Sequence, residues 1–276
     1  MLIAVSLGVV AALTPGQVTN LTLYKGVPAA EQHLTVRSWG GGTAKEATDI
    51  GFAGTRSLMI TTAGYFTGGM LNFESPIAMA ELVKNKENLL QATIYAVENK
   101  GSGTSTGGRP VKQLENLRLV LKTSDGKFSE AVIPTGGMVS RWRQLGIPLT
   151  VIAGFAKTNQ QVTSISLAGD ALTTFYLGEL RVVTDMTPIQ GFLPLNTLQI
   201  GRDQEHAFTG SAEAGYSVIE YAWDFNEKDG MQDDAIGQRI FHRFRIPGEY
   251  TVTLTIRDVY GLKKPWAGKI KVTVWE

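Results

Sequence analysis

The sequence predicts an all-β protein built as two β-sandwiches, and three observations carry that expectation. Apolar and polar residues alternate with a period of two in short segments along most of the chain, which is the pattern of strands with one buried and one wet face. The 31 glycines among 276 residues punctuate these segments at close intervals, as turns between strands require. A chain of this length also holds two ordinary domains, each large enough to bury a core. The net charge of +1 supplies no long-range field for nucleic acid or an anionic membrane, so both partners are set aside. The absence of cysteine removes disulfides, thiolate nucleophiles and cysteine-based zinc sites, while leaving export open.

Taken in order, the apolar run Leu2 to Ala12 is shorter than the roughly 20 residues that span a bilayer, so no membrane-spanning segment is expected there. It reads as a secretory hydrophobic region or an N-terminal strand within residues 1–17, although no Lys or Arg precedes it. A first domain is expected over 18–185. Its strands are read at Leu21–Gly26, Ser57–Thr62, Gly69–Glu74, Leu89–Glu98 and Leu114–Thr123, then at Ser129–Pro134, Arg141–Leu149, Gln161–Gly169 and Phe175–Asp185. In the fifth of these, Leu117, Leu119 and Leu121 share one face and Arg118, Val120 and Lys122 the other. Ser75–Asn85 has the only helical look, with Ala80, Leu82 and Val83 covering an end of the sandwich. Gly41–Ser57 reads as a long surface loop with tight turns, and Lys100–Pro110 as an exposed Gly/Ser/Thr-rich loop. Pro188, Gly191 and Pro194 mark a linker over 186–195, short enough that the two sandwiches share an interface.

The remainder, 196–276, is organised by Tyr221–Asp258. Tyr221, Trp223 and Phe225 leave one face of a strand, and Val252, Leu254 and Ile256 alternate with threonines in another, after a Pro247-Gly248 turn. These pieces, with Phe208–Glu213, His242–Asp258 and Tyr260-Gly261, resemble a PKD domain. The resemblance implies an immunoglobulin-like β-sandwich of the kind found in extracellular and cell-surface proteins. In the first domain, the Gly54–Leu58 strand start, the tryptophan followed by Ile147-Pro148-Leu149, and the closing Phe175–Val183 strand resemble the galactose-binding-like jelly rolls used by many carbohydrate-binding modules. That resemblance implies glycan recognition through aromatic side chains, often beside a structural calcium.

The aromatic residues able to stack on a sugar ring are Trp39, Tyr65, Phe66, Tyr95, Trp142 and Tyr176. Trp142 and Tyr176 are expected to pack inside, whereas Trp39, Tyr65 and Phe66 lie among glycines. The candidate ligand-binding set is therefore Trp39, Tyr65 and Phe66, with Arg56 and Gln91 as hydrogen-bonding neighbours. Asp224, Asn226, Asp229, Asp233 and Asp234 supply hard oxygens within one loop and are the candidate calcium ligands, although Lys228 breaks an EF-hand spacing and Asp and Asn equally suit a turn. The histidines His33, His206 and His242 form no metal-binding motif. No nucleophile elbow or phosphate loop is present, and carboxylates such as Asp49, Glu74, Glu179 and Asp185 carry no pairing signal in sequence. The expectation is a non-catalytic protein of the cell surface or exterior that binds a glycan or cell-surface polysaccharide, the second domain acting as spacer or docking surface. The alternative is a structural subunit of a cell envelope, adhesin or filament, self-assembling through its sandwiches and the Leu2–Ala12 segment.

Overall fold

In this computed structural model the described residues are 18–53, 56–64, 66–99, 113–137 and 139–276. Leu2–Ala12, Tyr65 and the Lys100–Pro110 loop lie outside them. The first sandwich comprises β1 (Asn20–Lys25), β2 (Leu34–Trp39), β3 (Thr43–Ala47), β4 (Ser57–Ala63), β5 (Gly68–Ala78), β6 (Asn88–Ala96), β7 (Asn116–Thr123), β8 (Phe128–Pro134), β9 (Trp142–Pro148), β10 (Gln161–Gly169) and β11 (Leu172–Thr184). One sheet has the order β3-β4-β11-β6-β9, with β1 completing the position beside the second half of β11. The other has the order β2-β5-β10-β7-β8. All of the strand pairs in both sheets are antiparallel.

Alternation decides which residues meet between the sheets. Leu117, Leu119 and Leu121 of β7 and Leu90, Ala92 and Ile94 of β6 enter one core with Ile165, Leu167, Phe175 and Leu177. Three expectations change. Trp39, expected in a loop, ends β2, and the expected surface loop Gly41–Ser57 contains β3, a short strand at a sheet edge. The helical stretch is confined to α1 (Ala80–Lys84), because β5 runs on to Ala78 before the chain turns; Leu82 is its buried residue.

The second sandwich has a five-stranded sheet in the order β13 (Thr197–Gly201), β20 (Trp266–Trp275), β19 (Gly248–Asp258), β16 (Ile219–Asp224) and β17 (Ala235–Ile236). The two-stranded pairs β14 (Glu205–Thr209) with β18 (Arg239–Arg243) and β12 (Gln190–Phe192) with β15 (Ser211–Glu213) complete its strands. Trp223, Val252, Leu254 and Ile256 are fully buried, as their alternation requires. Trp223 donates its indole N–H to Gly237 O at 2.9 Å. Phe208 packs at an angle on Trp223, Phe225 and Phe244, and His242 stacks on Phe225 at 3.7 Å and 8°.

The two sandwiches meet at Asp185, which follows β11 and is buried. Its Oδ1 accepts the Thr187 N–H at 3.0 Å, and its Oδ2 accepts the Tyr216 N–H at 2.7 Å and Lys263 Nζ at 2.8 Å. Burial opposes the charge, but the hydrogen bonds from Lys263, Tyr216 and Thr187 outweigh it and hold the carboxyl below its ordinary pKa. Gly215 adopts φ +61°, and a Cβ there would lie 2.4 Å from the Asp185 carboxylate, so the contact demands glycine. The following residues run beside β9: Gly146 N–H donates to Tyr216 O at 2.8 Å, and Gly146 bridges Ser217 in parallel. Tyr260 reaches across to Val132 O, and Tyr260 and Val218 pack against the first core.

Removing one partner of a buried ion pair leaves the other charge without compensation. Asp185→Ala is expected to lower stability by about 3 kcal/mol in urea unfolding. Adding Lys263→Met should recover part of the loss, and additive losses would show that the pair does not couple. The depressed Asp185 pKa contributes stability above the carboxyl's unfolded value, and this is lost as pH falls through the lower folded one. His206 and His242 sit directly opposite each other in the β14–β18 pair, each with its pKa lowered by burial, and Asp234 partly opposes this at His242. A lowered folded value means that the unfolded chain takes up protons first. Their contribution is complete above the ordinary value of 6.5 and is lost as pH falls from there through the folded pKa values. The melting temperature should fall between pH 7.5 and pH 5, and His242→Phe, which keeps a ring on Phe225, should flatten that fall; an unchanged slope would remove the histidine from the explanation.

Candidate ligand-binding platform

Trp39 and Phe66 meet on the outer face of the β2-β5-β10-β7-β8 sheet. Leu34 of β2 faces the core and Val36 packs against it, so alternation turns Trp39 outward. Trp39 pairs with Gly68 of β5, and Phe66 occupies the turn just before that strand. The rings are 6.1 Å apart at 83°, an edge-to-face contact. Arg118 of β7 completes the group, its guanidinium carbon 4.3 Å from the Phe66 ring centroid. Arg118 is also ion-paired with Glu130 of β8 at 2.5 Å. That carboxylate fixes the planar guanidinium.

The turn holding Phe66 is built for it. Phe66 has φ +60°, a left-handed conformation that is rare for a bulky side chain. Thr67 closes the turn: its hydroxyl accepts the Ala63 N–H at 2.6 Å and donates to Gly64 O at 3.0 Å. From the other side, a Cβ on Gly40 would come within 1.8 Å of Phe66 O, so the Gly40–Gly42 turn after Trp39 lies directly on the Phe66 backbone. Phe66 is nevertheless 56% exposed.

The other candidate ligand residues are placed elsewhere. Arg56 lies beyond the far end of the β3–β4 pair and is ion-paired with Glu46 at 3.5 Å. Gln91 is fully buried at the domain junction, donating to Thr93 Oγ1 at 2.8 Å and accepting from Arg181 Nε at 3.0 Å. Arg181 in turn reaches the Tyr216 hydroxyl of the second sandwich. Tyr176 is buried, but it projects from the outer face of the first sheet and not into the core, donating its hydroxyl to Asp49 at 2.9 Å. Burial and this bond push the Tyr176 pKa up to about 12. Trp142 is half-buried against Phe52 and Tyr95 on the same face. Arg118 was visible in sequence only as an outward residue of its strand; its meeting with Phe66 depends on sheet order.

The acidic loop is arranged around backbone N–H groups. Asp224, buried, accepts the N–H of Asn226 at 2.8 Å through Oδ1 and of Gln232 at 2.9 Å through Oδ2. Asp234 Oδ2 accepts the Phe225 N–H at 2.8 Å. Asp229 receives the side-chain amides of Asn226 and Gln232, and Asp233 is ion-paired with Arg257. Among the described residues no group of three His, Cys, Asp or Glu side chains is placed to hold a metal ion, and Asp224 and Asp234 direct oxygens at backbone N–H groups. Asp224→Ala is expected to destabilise by about 2–4 kcal/mol, because two hydrogen bonds to a charged group are lost in a buried place. Chelation by EDTA should leave the wild-type melting temperature unchanged, and a fall would return calcium to the loop.

Residues 188–274 match the PKD domain family. No curated protein matches the chain. Among solved structures, an exo-beta-agarase is similar at 13% identity over 59% of this chain and 24% of its own, with a TM-score of 0.38. The fibronectin(III)-like modules of Clostridium thermocellum CbhA are similar at 7% identity over 66% of this chain and 93% of theirs, with a TM-score of 0.26. The M60 catalytic domain with two CBM51 domains from Clostridium perfringens ZmpB is similar at 11% identity over 95% of this chain and 23% of that one, with a TM-score of 0.21. This chain thus spans about a quarter of the length of the agarase and of the ZmpB structure. No helix among the described residues is long and apolar enough to cross a membrane.

Proposed function

We propose that the chain is a non-catalytic binding protein of the cell exterior or surface, and that its first sandwich takes up carbohydrate on the Trp39–Phe66–Arg118 platform. The observation that carries this reading is Phe66: more than half exposed, held in a left-handed turn, with the Trp39 ring nearly perpendicular to its own and a guanidinium against it. A flat aromatic face suits the apolar side of a pyranose, and a fixed guanidinium suits its hydroxyls or acidic groups. The PKD match over the second sandwich supports a place outside the cell.

The carboxylates support binding without turnover. Asp49 receives the Tyr176 hydroxyl, Glu74 meets His33, Glu179 meets Arg181, and Asp185 meets Lys263. Each has a structural partner, and Glu74 lies on β5 in the opposite sheet from Glu179 on β11. A glycosidase needs two carboxyls facing one bond across a gap of roughly 5–9.5 Å.

Phe66→Gly separates binding from folding. Glycine accepts the left-handed turn without strain, so the melting temperature should stay within about 2 °C of wild type while retention on a glycan array is lost. Trp39→Ala should weaken the same interactions. Undiminished glycan binding in both variants would sink the platform, and a chain that binds no glycan but assembles into filaments would establish the structural alternative.

A further inference from the structure

The platform continues across its sheet. Antiparallel register places Trp39, Gly68, Ala168, Arg118 and Val132 in one row over the five strands, all on the outer face. Two residues further along the strands, Arg37 shares that face, and four residues along β7 Lys122 follows Arg118. Lys122 pairs with Phe128 of β8, and its Nζ stands 5.8 Å from the Phe128 ring centroid. The strand therefore carries two cation–aromatic pairs on one face, Arg118 with Phe66 and Lys122 with Phe128, about 13 Å apart at the usual rise per residue. Beside them β10 presents the short side chains Ala168, Ser166 and Ser164 between the pairs. Phe128 is 65% exposed, like Phe66 without a core to fill.

The face also carries charge. Arg37, Arg118 and Lys122 lie on it with Glu130 as the intervening carboxylate. Glu74, further along β5, is paired with His33, and Asp125 in the β7–β8 turn with Lys127. Three cations thus stand beside aromatic rings on one sheet face. We propose that this face binds an anionic polysaccharide in an extended pose. Pyranose rings stack at Phe66 and Phe128, and the carboxylates or sulfates of the polymer meet Arg118, Lys122 and Arg37. The inference rests on the carbohydrate reading of the platform and adds its ligand class and the direction of the chain. Single-stranded nucleic acid also joins aromatic and cationic groups, but it draws on a broader basic field than this chain supplies.

The test is affinity electrophoresis of the full chain in gels containing polygalacturonate or its methyl ester, iota-carrageenan or agarose, with a dT oligonucleotide as competitor. Retardation is expected with at least one acidic polymer and not with its uncharged counterpart, falling several-fold between 50 and 200 mM NaCl; the two pairs distinguish carboxylate from sulfate. Lys122→Ala and Phe128→Ala, both exposed positions, should each weaken retardation roughly tenfold, as the loss of one good aromatic or charged contact does. Equal retardation by a neutral polymer, or loss with Phe66→Gly but not with Lys122→Ala and Phe128→Ala, would overturn this inference and leave the platform standing. Competition by oligonucleotide below the polysaccharide concentration would overturn it in favour of nucleic acid. Absence of retardation in all four gels, together with a glycan array on which a neutral sugar binds, overturns the charge assignment; an array without any ligand removes the platform reading itself.

Discussion

The arrangement of the molecule passes through one buried carboxylate. Asp185 gathers donors from the linker, from Tyr216 and from Lys263, and its own N–H donates to Glu87 O. A buried ionised group tolerates few geometries, because each lost hydrogen bond leaves charge uncompensated in a medium of low dielectric. The second sandwich is thereby held at a fixed angle, with residues 214–218 laid along β9. That contact covers an edge that would otherwise be open to another chain.

Fixing the junction also decides which surface is free. The outer face of the first sheet meets Tyr216 around Gln91 and Arg181, and it is filled further along by Phe52, Trp142, Tyr95 and Tyr176. Gly178 of β11 shows how close this filling is, since a Cβ there would lie 2.4 Å from Phe52. Trp39, Phe66, Arg118, Lys122 and Phe128 stand on the outer face of the other sheet. The position of the platform is therefore a consequence of where the second sandwich docks.

Strands with a wet face and a dry face were legible because alternation is local. Val252, Leu254 and Ile256 are fully buried and the leucines of β7 are core, as their spacing requires. Edge strands were less legible: β3, Thr43–Ala47, packs only one alanine toward the core, so its residues carry little periodic signal. The pairing of Phe66 with Arg118 was hidden for a different reason. It depends on β5 and β7 flanking β10, an order that no local spacing encodes. Gln91 had the right residue type for a ligand contact, yet it is buried and bonded to Thr93 and Arg181. The acidic loop was ambiguous because oxygens that suit calcium also suit backbone N–H groups, and only the fold shows that Asp224 and Asp234 point at the chain itself.

Phe66 is the residue that folding alone does not explain. A left-handed conformation costs about 1–2 kcal/mol for a side chain with a Cβ. The stacked Arg118 offsets about 0.5–1 kcal/mol of this at an exposed site, and the Trp39 edge contributes a similar amount. These contacts do no more than balance the strain. Glycine would satisfy the turn, and a polar residue would satisfy the surface. Strain of this kind persists only where neighbours over-determine it, and here Thr67, Gly40 and Gly64 do so around a ring that is left facing solvent. An exposed ring held in place at no net gain to the fold is what a binding surface requires, since a pre-set ring loses no freedom when a ligand arrives.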